Sequence, residues 1–300
     1  MKHKSPAKIT LIGSGSWGST IALIIGRNAE KYRNDFDPKI RMWVHEEVIN
    51  EKKLTEIINT QHENVKYLPV SEKIRELLNI DTAVLMGANV AQEVANDEFS
   101  EATIGYKGQK DKWQMLKKLF ESDNFRIHLT EDSNTVELCG GLKNIVACAA
   151  GFADGLGYGS NTKAAIIRLG LLEIISFIEL FYHSSNIQTY FESCGIADLI
   201  VACTSGRNRK ICEAFVKTKK SIQDLECEIL NGQNVQGPAT AEAIFVMLKK
   251  HNMISKFPLF IAVYQICREQ LSPNLLIARL RECKGELPKN WLNGQQFFTR

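Results

Sequence analysis

Three glycines set the first constraint on this chain. In "ITLIGSGSWGSTIALIIG", residues 9–26, Gly13, Gly15 and Gly18 stand between an apolar run and an amphipathic one. A strand that turns within a few residues into a helix needs backbone freedom, which Gly13 supplies. Gly15 lets the backbone approach a pyrophosphate, and Gly18 lets the helix lie on the strand, so that an anion would sit at the helix N-terminus. Spacing alone is equally compatible with a plain glycine-rich turn. The strand–turn–helix context is what points to a dinucleotide.

The sequence up to residue 131 continues in the same style. Apolar runs at 8–12, 40–44, 82–86, 102–106 and 125–129 read as strands, and 17–28, 52–59, 71–78 and 113–120 read as helices. That alternation specifies a doubly wound parallel α/β sheet of the Rossmann type. From residue 132 to 300 strand candidates nearly vanish. Helical patterns at 135–151, 162–181, 208–218, 221–230, 240–250 and 255–268 predict a second, all-helical domain. One stretch breaks the rhythm. Between His45 and Asp81 the best strand candidate is 65–67, ended by Pro69, where a complete doubly wound sheet would place another full strand.

Charge and cysteine use narrow the function classes. A net charge of +3 over 300 residues is too small to draw nucleic acid or a membrane surface, so any anion site must come from a local cluster. The strongest apolar run, 257–267, falls well short of the ~18 residues that span a bilayer. The eight cysteines include no C-x-x-C pair, and Cys139, Cys148, Cys194, Cys203, Cys212 and Cys267 sit in apolar stretches. They read as small core side chains of a reduced, cytoplasmic protein. The six histidines show neither triad nor metal-ligand spacing.

Four places carry candidate chemistry. The second strand ends "MWVHEE", where acidic residues without a following arginine favour NAD over NADP, though these could equally be solvated loop acids. Lys143, within "LCGGLKNIVACAAGFADG", either snorkels to water or is desolvated, which would bring its pKa down toward acid–base use. Asp198, in "ESCGIADLIVAC", is either exposed at a helix end or the buried partner of a lysine. "TSGRNRK", residues 204–210, places Arg207, Arg209 and Lys210 behind Gly206 at a predicted helix start. This is a phosphate site or a solvated basic turn.

Along nearly its whole length the chain resembles the NAD-dependent glycerol-3-phosphate dehydrogenases of the animal cytosolic type. "GSGSWGS", "MWV", "KKLTEIINTQHENVKYLP", "VLMGAN", "VELCGGLKNIVA", "NTKAAIIRLGL", "ESCGIADLI", "GRNRK", "LNGQNVQGP" and "KFPLFIAVYQIC" carry the likeness in order. It implies reversible hydride transfer between NAD(H) and glycerol 3-phosphate or dihydroxyacetone phosphate, in a homodimer. Carried over by position, Lys143 would exchange the proton, oriented by Asn144 and Asp198. Asn144, Arg207 and Asn208 would hold the substrate. Gly13, Ser14, Gly15, Ser16, Trp17 and Gly18 would floor the cofactor site. Asn89 and Ala91 would line its groove, His45 and Asn234 would lie at its edge, and Gln236 would close over it beside Arg207.

Against that family pattern, Ser16 and His45 replace an asparagine and an aromatic, Ala202 a threonine, and Asn234 a lysine. At Pro69–Val70–Ser71 the chain omits on the order of 60 residues, about two βα units, including strands ending V-P-H-Q-F and L-I-K-G, the latter with a substrate lysine. The resemblance leaves two readings: an active dehydrogenase, or a shortened, impaired variant serving only as a nucleotide-binding or dimerisation module.

Overall fold

A computed structural model describes residues 5–12, 16–43, 48–49, 52–53, 71, 74–75, 81–182, 186–230 and 233–281. The chain divides into two units, the first Met1–Lys66 with Val70–Ser133, the second Tyr67–Pro69 with Asn134–Arg300.

In the first unit β1 (Thr10–Ile12) pairs in parallel with β2 (Arg41–Trp43), and α1 (Ser16–Lys31) crosses between them. A two-residue antiparallel pair, β3 (Val48–Ile49) and β4 (Lys52–Lys53), follows. Lys52 and Lys53 are therefore extended where the sequence pattern suggests the start of a helix; the remainder of that segment lies outside the described residues. A second sheet has the order β5 (Ala83–Met86), β6 (Ser100–Tyr106), β7 (Phe125–Thr130), with α2 (Ala91–Ala95) and α3 (Lys110–Phe120) in its connections. β6 runs parallel to β7 but antiparallel to β5. The α/β class stands, but the expected all-parallel order does not, since the α2 connection returns β6 antiparallel beside β5.

Among the described residues the sheet is thus in two pieces, β1–β2 and β5–β6–β7. One apolar core nevertheless serves both. Ile21, Ile24 and Ile25 of α1 pack with Ala102, Ile104 and Tyr106 of β6 and with Phe125 and Ile127 of β7, and Ile9 and Leu11 join from the β1 side. Asn28 reinforces this by donating to the carbonyls of Leu119 and Glu121, at 2.9 and 2.8 Å, which satisfies two acceptors at the end of α3.

The second unit is built of helices: α4 (Ser133–Gly155), α5 (Ser160–Tyr182), α6 (Ile187–Phe191), α7 (Asp198–Thr204), α8 (Arg207–Thr218), α9 (Ile222–Leu230), α10 (Gly237–Lys250), α11 (Pro258–Cys267) and α12 (Leu276–Arg281). α4 is apolar nearly all round because the other helices surround it; Leu138, Leu142, Ile145, Val146 and Phe152 are fully buried. By length and composition this helix could cross a membrane, yet its most apolar stretch is 78% buried inside the unit. Cys139, Cys148, Cys194, Cys203 and Cys212 are buried free thiols, as core packing predicts, whereas Cys267 is only partly buried against the same core; burial pushes the Cys203 thiol up to about 12.

Candidate functional site

Lys143 and Asp198 meet across 55 residues of sequence. The Lys143 ammonium donates to Asp198 Oδ2 at 2.5 Å, with side-chain exposures of 22% and 5%. Asp198 is delivered by an unusual turn: residues Ser193–Ala197 form a π-helical segment between α6 and α7. That wide turn lets Gly195 lie against the preceding helix, where an added Cβ would stand 2.3 Å from the Tyr190 carbonyl oxygen. Burial raises the Asp198 carboxyl above the usual carboxylate range, and the Lys143 charge pulls the other way. Of the two environments open to Asp198 in the sequence, the structure takes the buried, lysine-paired one.

Beside this pair lies a chain of amides. Asn208, in the first turn of α8, donates from Nδ2 to Asn144 Oδ1 at 3.0 Å, and its Oδ1 accepts the Gly237 N–H at 2.7 Å. Three helices, α4, α8 and α10, are thereby joined at one buried side chain. Arg207 is exposed at the start of α8, and its Nη1 donates to Gln233 Oε1 at 2.8 Å. The loop bearing Gln233, half-exposed Gln236 and exposed Asn234 is anchored by Glu226, which accepts the Val235 N–H at 2.7 Å. Gln233 was not singled out in the sequence although it sits inside "LNGQNVQGP". Nothing in its local pattern separates it from Asn234 or Gln236.

Of the residues attributed to the cofactor, Arg207, Asn234 and Gln236 belong to the second unit and the others to the first. Gly13, Ser14, Gly15 and His45 lie outside the described residues. Ser16 opens α1 and Gly18 lies in its first turn. The Trp17 ring packs on Phe125 in the core, centroids 6.3 Å apart, so what Trp17 offers a ligand is backbone. Thr20 of α1 donates to the Ala91 carbonyl at 3.2 Å, and Asn89 donates to the Glu101 carbonyl at 2.9 Å. Asn89 Oδ1 is a buried acceptor with no donor among the described residues, which a ligand amide or hydroxyl would satisfy.

Two family models match the chain: the N-terminus of NAD-dependent glycerol-3-phosphate dehydrogenase over residues 8–72 and its C-terminus over residues 132–278. The chain belongs to the NAD-dependent glycerol-3-phosphate dehydrogenase family. This dehydrogenase is 47% identical to "Probable glycerol-3-phosphate dehydrogenase 2" of Caenorhabditis elegans, over 92% of this chain and 90% of that one. It is 45% identical to the human "Glycerol-3-phosphate dehydrogenase [NAD(+)], cytoplasmic", over 87% and 94% of the two chains. The solved structure of a glycerol-3-phosphate dehydrogenase from Saccharomyces cerevisiae superposes with a TM-score of 0.81 at 36% identity, covering 92% of this chain and 99% of that one.

The nematode alignment runs over 353 positions, so at least 53 of them have no residue in this 300-residue dehydrogenase. The N-terminal model stops at residue 72, beside the seam read at Pro69–Ser71. The chain is an NAD-dependent oxidoreductase acting on glycerol 3-phosphate. None of these findings favours a module that only binds nucleotide or dimerises.

Proposed function

We propose that, in this dehydrogenase, Lys143 is the general acid and base at the C2 oxygen, Asp198 its orienting partner, and Arg207 with Asn208 the grip on the substrate phosphate. The 2.5 Å Lys143–Asp198 contact in a largely buried setting carries the reading. An ammonium held by one buried carboxylate keeps its remaining N–H groups free to aim at a substrate oxygen. During reduction Lys143 gives a proton to the oxygen that gains negative charge; during oxidation it takes that proton back. Bound NAD(H) supplies or accepts the hydride at C2. The orphaned Asn89 acceptor and the α1 start support a cofactor site there.

Asn208 spends its side-chain oxygen on Gly237 and one amide hydrogen on Asn144. What remains for the phosphate is its second amide hydrogen and the backbone N–H groups of the first α8 turn, which have no intrahelical acceptor. Arg207 adds a guanidinium fork suited to phosphate oxygens. Residues 1–131 serve as the cofactor domain and residues 132–300 as the substrate and dimerisation domain. The buried free thiols and the relatives named cytoplasmic support a cytoplasmic location.

The phosphate assignment is tested with Arg207→Lys, which keeps charge but loses the fork. The kcat/KM for dihydroxyacetone phosphate is expected to fall at least about tenfold, while that for phosphate-free dihydroxyacetone changes little. Equal losses for both substrates would refute phosphate recognition by Arg207.

A further inference from the structure

Lys143 and Asn144 ride on α4, and Arg207 and Asn208 on the first turn of α8. The distance between proton donor and phosphate grip is therefore set wherever these two helices are keyed together. Within the site, the side-chain ties between them are uncharged and meet at Asn208, which donates to Asn144 at 3.0 Å and accepts from the Cys148 thiol at 4.0 Å. The stronger key lies two to three turns further along α4. An added Cβ at Gly151 would stand 2.3 Å from the Arg209 carbonyl oxygen, and one at Gly155 would stand 2.6 Å from Val216 Cβ. The α8 backbone thus rests directly on a glycine edge of α4.

Charge fixes the register there. Asp154 Oδ2 accepts Nε–H of Arg209 at 2.5 Å and the Lys163 ammonium, from the first turn of α5, at 2.7 Å. Arg209 Nη2 lies 2.7 Å from Glu213 Oε2. The four side chains are only 14 to 22% exposed, so these pairs are shielded from the screening that weakens surface ion pairs. Burial works to raise the Asp154 carboxyl, yet Lys163 and Arg209 outweigh it and hold the group below the usual range, so it stays ionised.

We infer that Asp154, with Arg209 seated on it and Gly151 beneath, is a positioning residue. It sets the spacing between Lys143 and Arg207 and so selects a substrate whose phosphate ester is on the carbon next to the reacting one. The inference rests on the roles proposed above for Lys143 and Arg207. A misplacement of about 1 Å between reacting groups costs on the order of 10²-fold in rate. The loss should therefore appear in kcat for a substrate held at both ends, and not for one held at a single end.

The experiment compares wild type, Asp154→Asn, Arg209→Lys and Arg207→Lys, each with NADH and either dihydroxyacetone phosphate or dihydroxyacetone, well below their melting temperatures. Asp154→Asn and Arg209→Lys are expected to lower kcat for the phosphorylated substrate by about ten- to a hundredfold. KM should change by less than about threefold, and dihydroxyacetone turnover should hold within about twofold. Combining the two substitutions should cost little more than either, because both break one contact. Equal losses on both substrates would make Asp154 merely structural and overturn the inference, as would unchanged kcat in both variants. If Arg207→Lys fails to separate the two substrates while Asp154→Asn does so, the Arg207 assignment fails, and the spacing that Asp154 sets is that from Lys143 to Asn208 on the same helix turn.

Discussion

Removing one side of the Lys143–Asp198 pair should damage stability and catalysis by separable amounts. Two unit charges 2.5 Å apart attract by roughly 7 kcal/mol at an effective dielectric of about 20. Desolvating a carboxylate that keeps 5% of its exposure consumes several of those kcal/mol. The pair as a whole is therefore near break-even, whereas breaking it leaves a buried charge uncompensated. Lys143→Met should cost up to about 3–5 kcal/mol of stability, less whatever Asp198 recovers by taking up a proton. Asp198→Asn should cost less, because Lys143 is partly exposed and can turn toward water. The double variant Lys143→Met with Asp198→Leu removes both charges and should return to within about 1–2 kcal/mol of wild type. Turnover should behave differently: both variants lacking Lys143 should lose about 10²-fold or more in kcat, with no recovery in the pair-deleted protein. Urea unfolding gives the stabilities, and NADH oxidation with dihydroxyacetone phosphate gives kcat. A pair-deleted protein that regains activity along with stability would refute Lys143 as the proton carrier and reduce the pair to a packing device.

Two further outcomes concern the frame. Burial pushes the Glu173 carboxyl up to about 8, while the N–H groups of Leu259 and Phe260 at the start of α11, accepted at 2.7 and 2.9 Å, pull it down. A folded-state value raised above the unfolded one makes folding bind a proton. Glu173 therefore lowers stability progressively as pH rises from about 4.5 toward about 8, with no further change above that. Glu173→Gln should flatten this slope in melting temperature against pH, and parallel profiles for the two proteins would contradict it. In hydrogen exchange, the amides of β6, bonded to strands on both sides, should exchange at least about tenfold more slowly than those of three-residue β1, paired on one side among the described residues. Equal protection would mean that β1 is held by a partner outside those residues.

What the amino-acid sequence determined by itself was local in origin. The strand–turn–helix at Gly13–Gly18 and the helical period around Lys143 depend on residues a few positions apart, and chain geometry converts such spacings into elements directly. The change from alternating strands and helices to helices alone near residue 132 is legible for the same reason. So is the strandless stretch between His45 and Asp81, because a strand that should recur does not; its seam at Pro69–Ser71 is implied by the family resemblance. The tertiary structure decided everything that depends on distant residues meeting. Asp198 could have capped an exposed helix; it became a buried partner because a π-helical turn swings it under α4. Asn208 shows no sequence sign that its amide joins three helices. Gln233 gains its meaning from where the Glu226 carboxylate pins its loop. Glu173 and Asp154 look like ordinary helix acids in sequence, and only packing reveals one capping α11 and the other locking α8 to α4. β5 runs against β6, a pairing direction that the alternating strand and helix pattern does not carry. Each of these outcomes is an energy shared between segments that the local pattern cannot contain, since neither partner carries a mark of the other until the chain has folded.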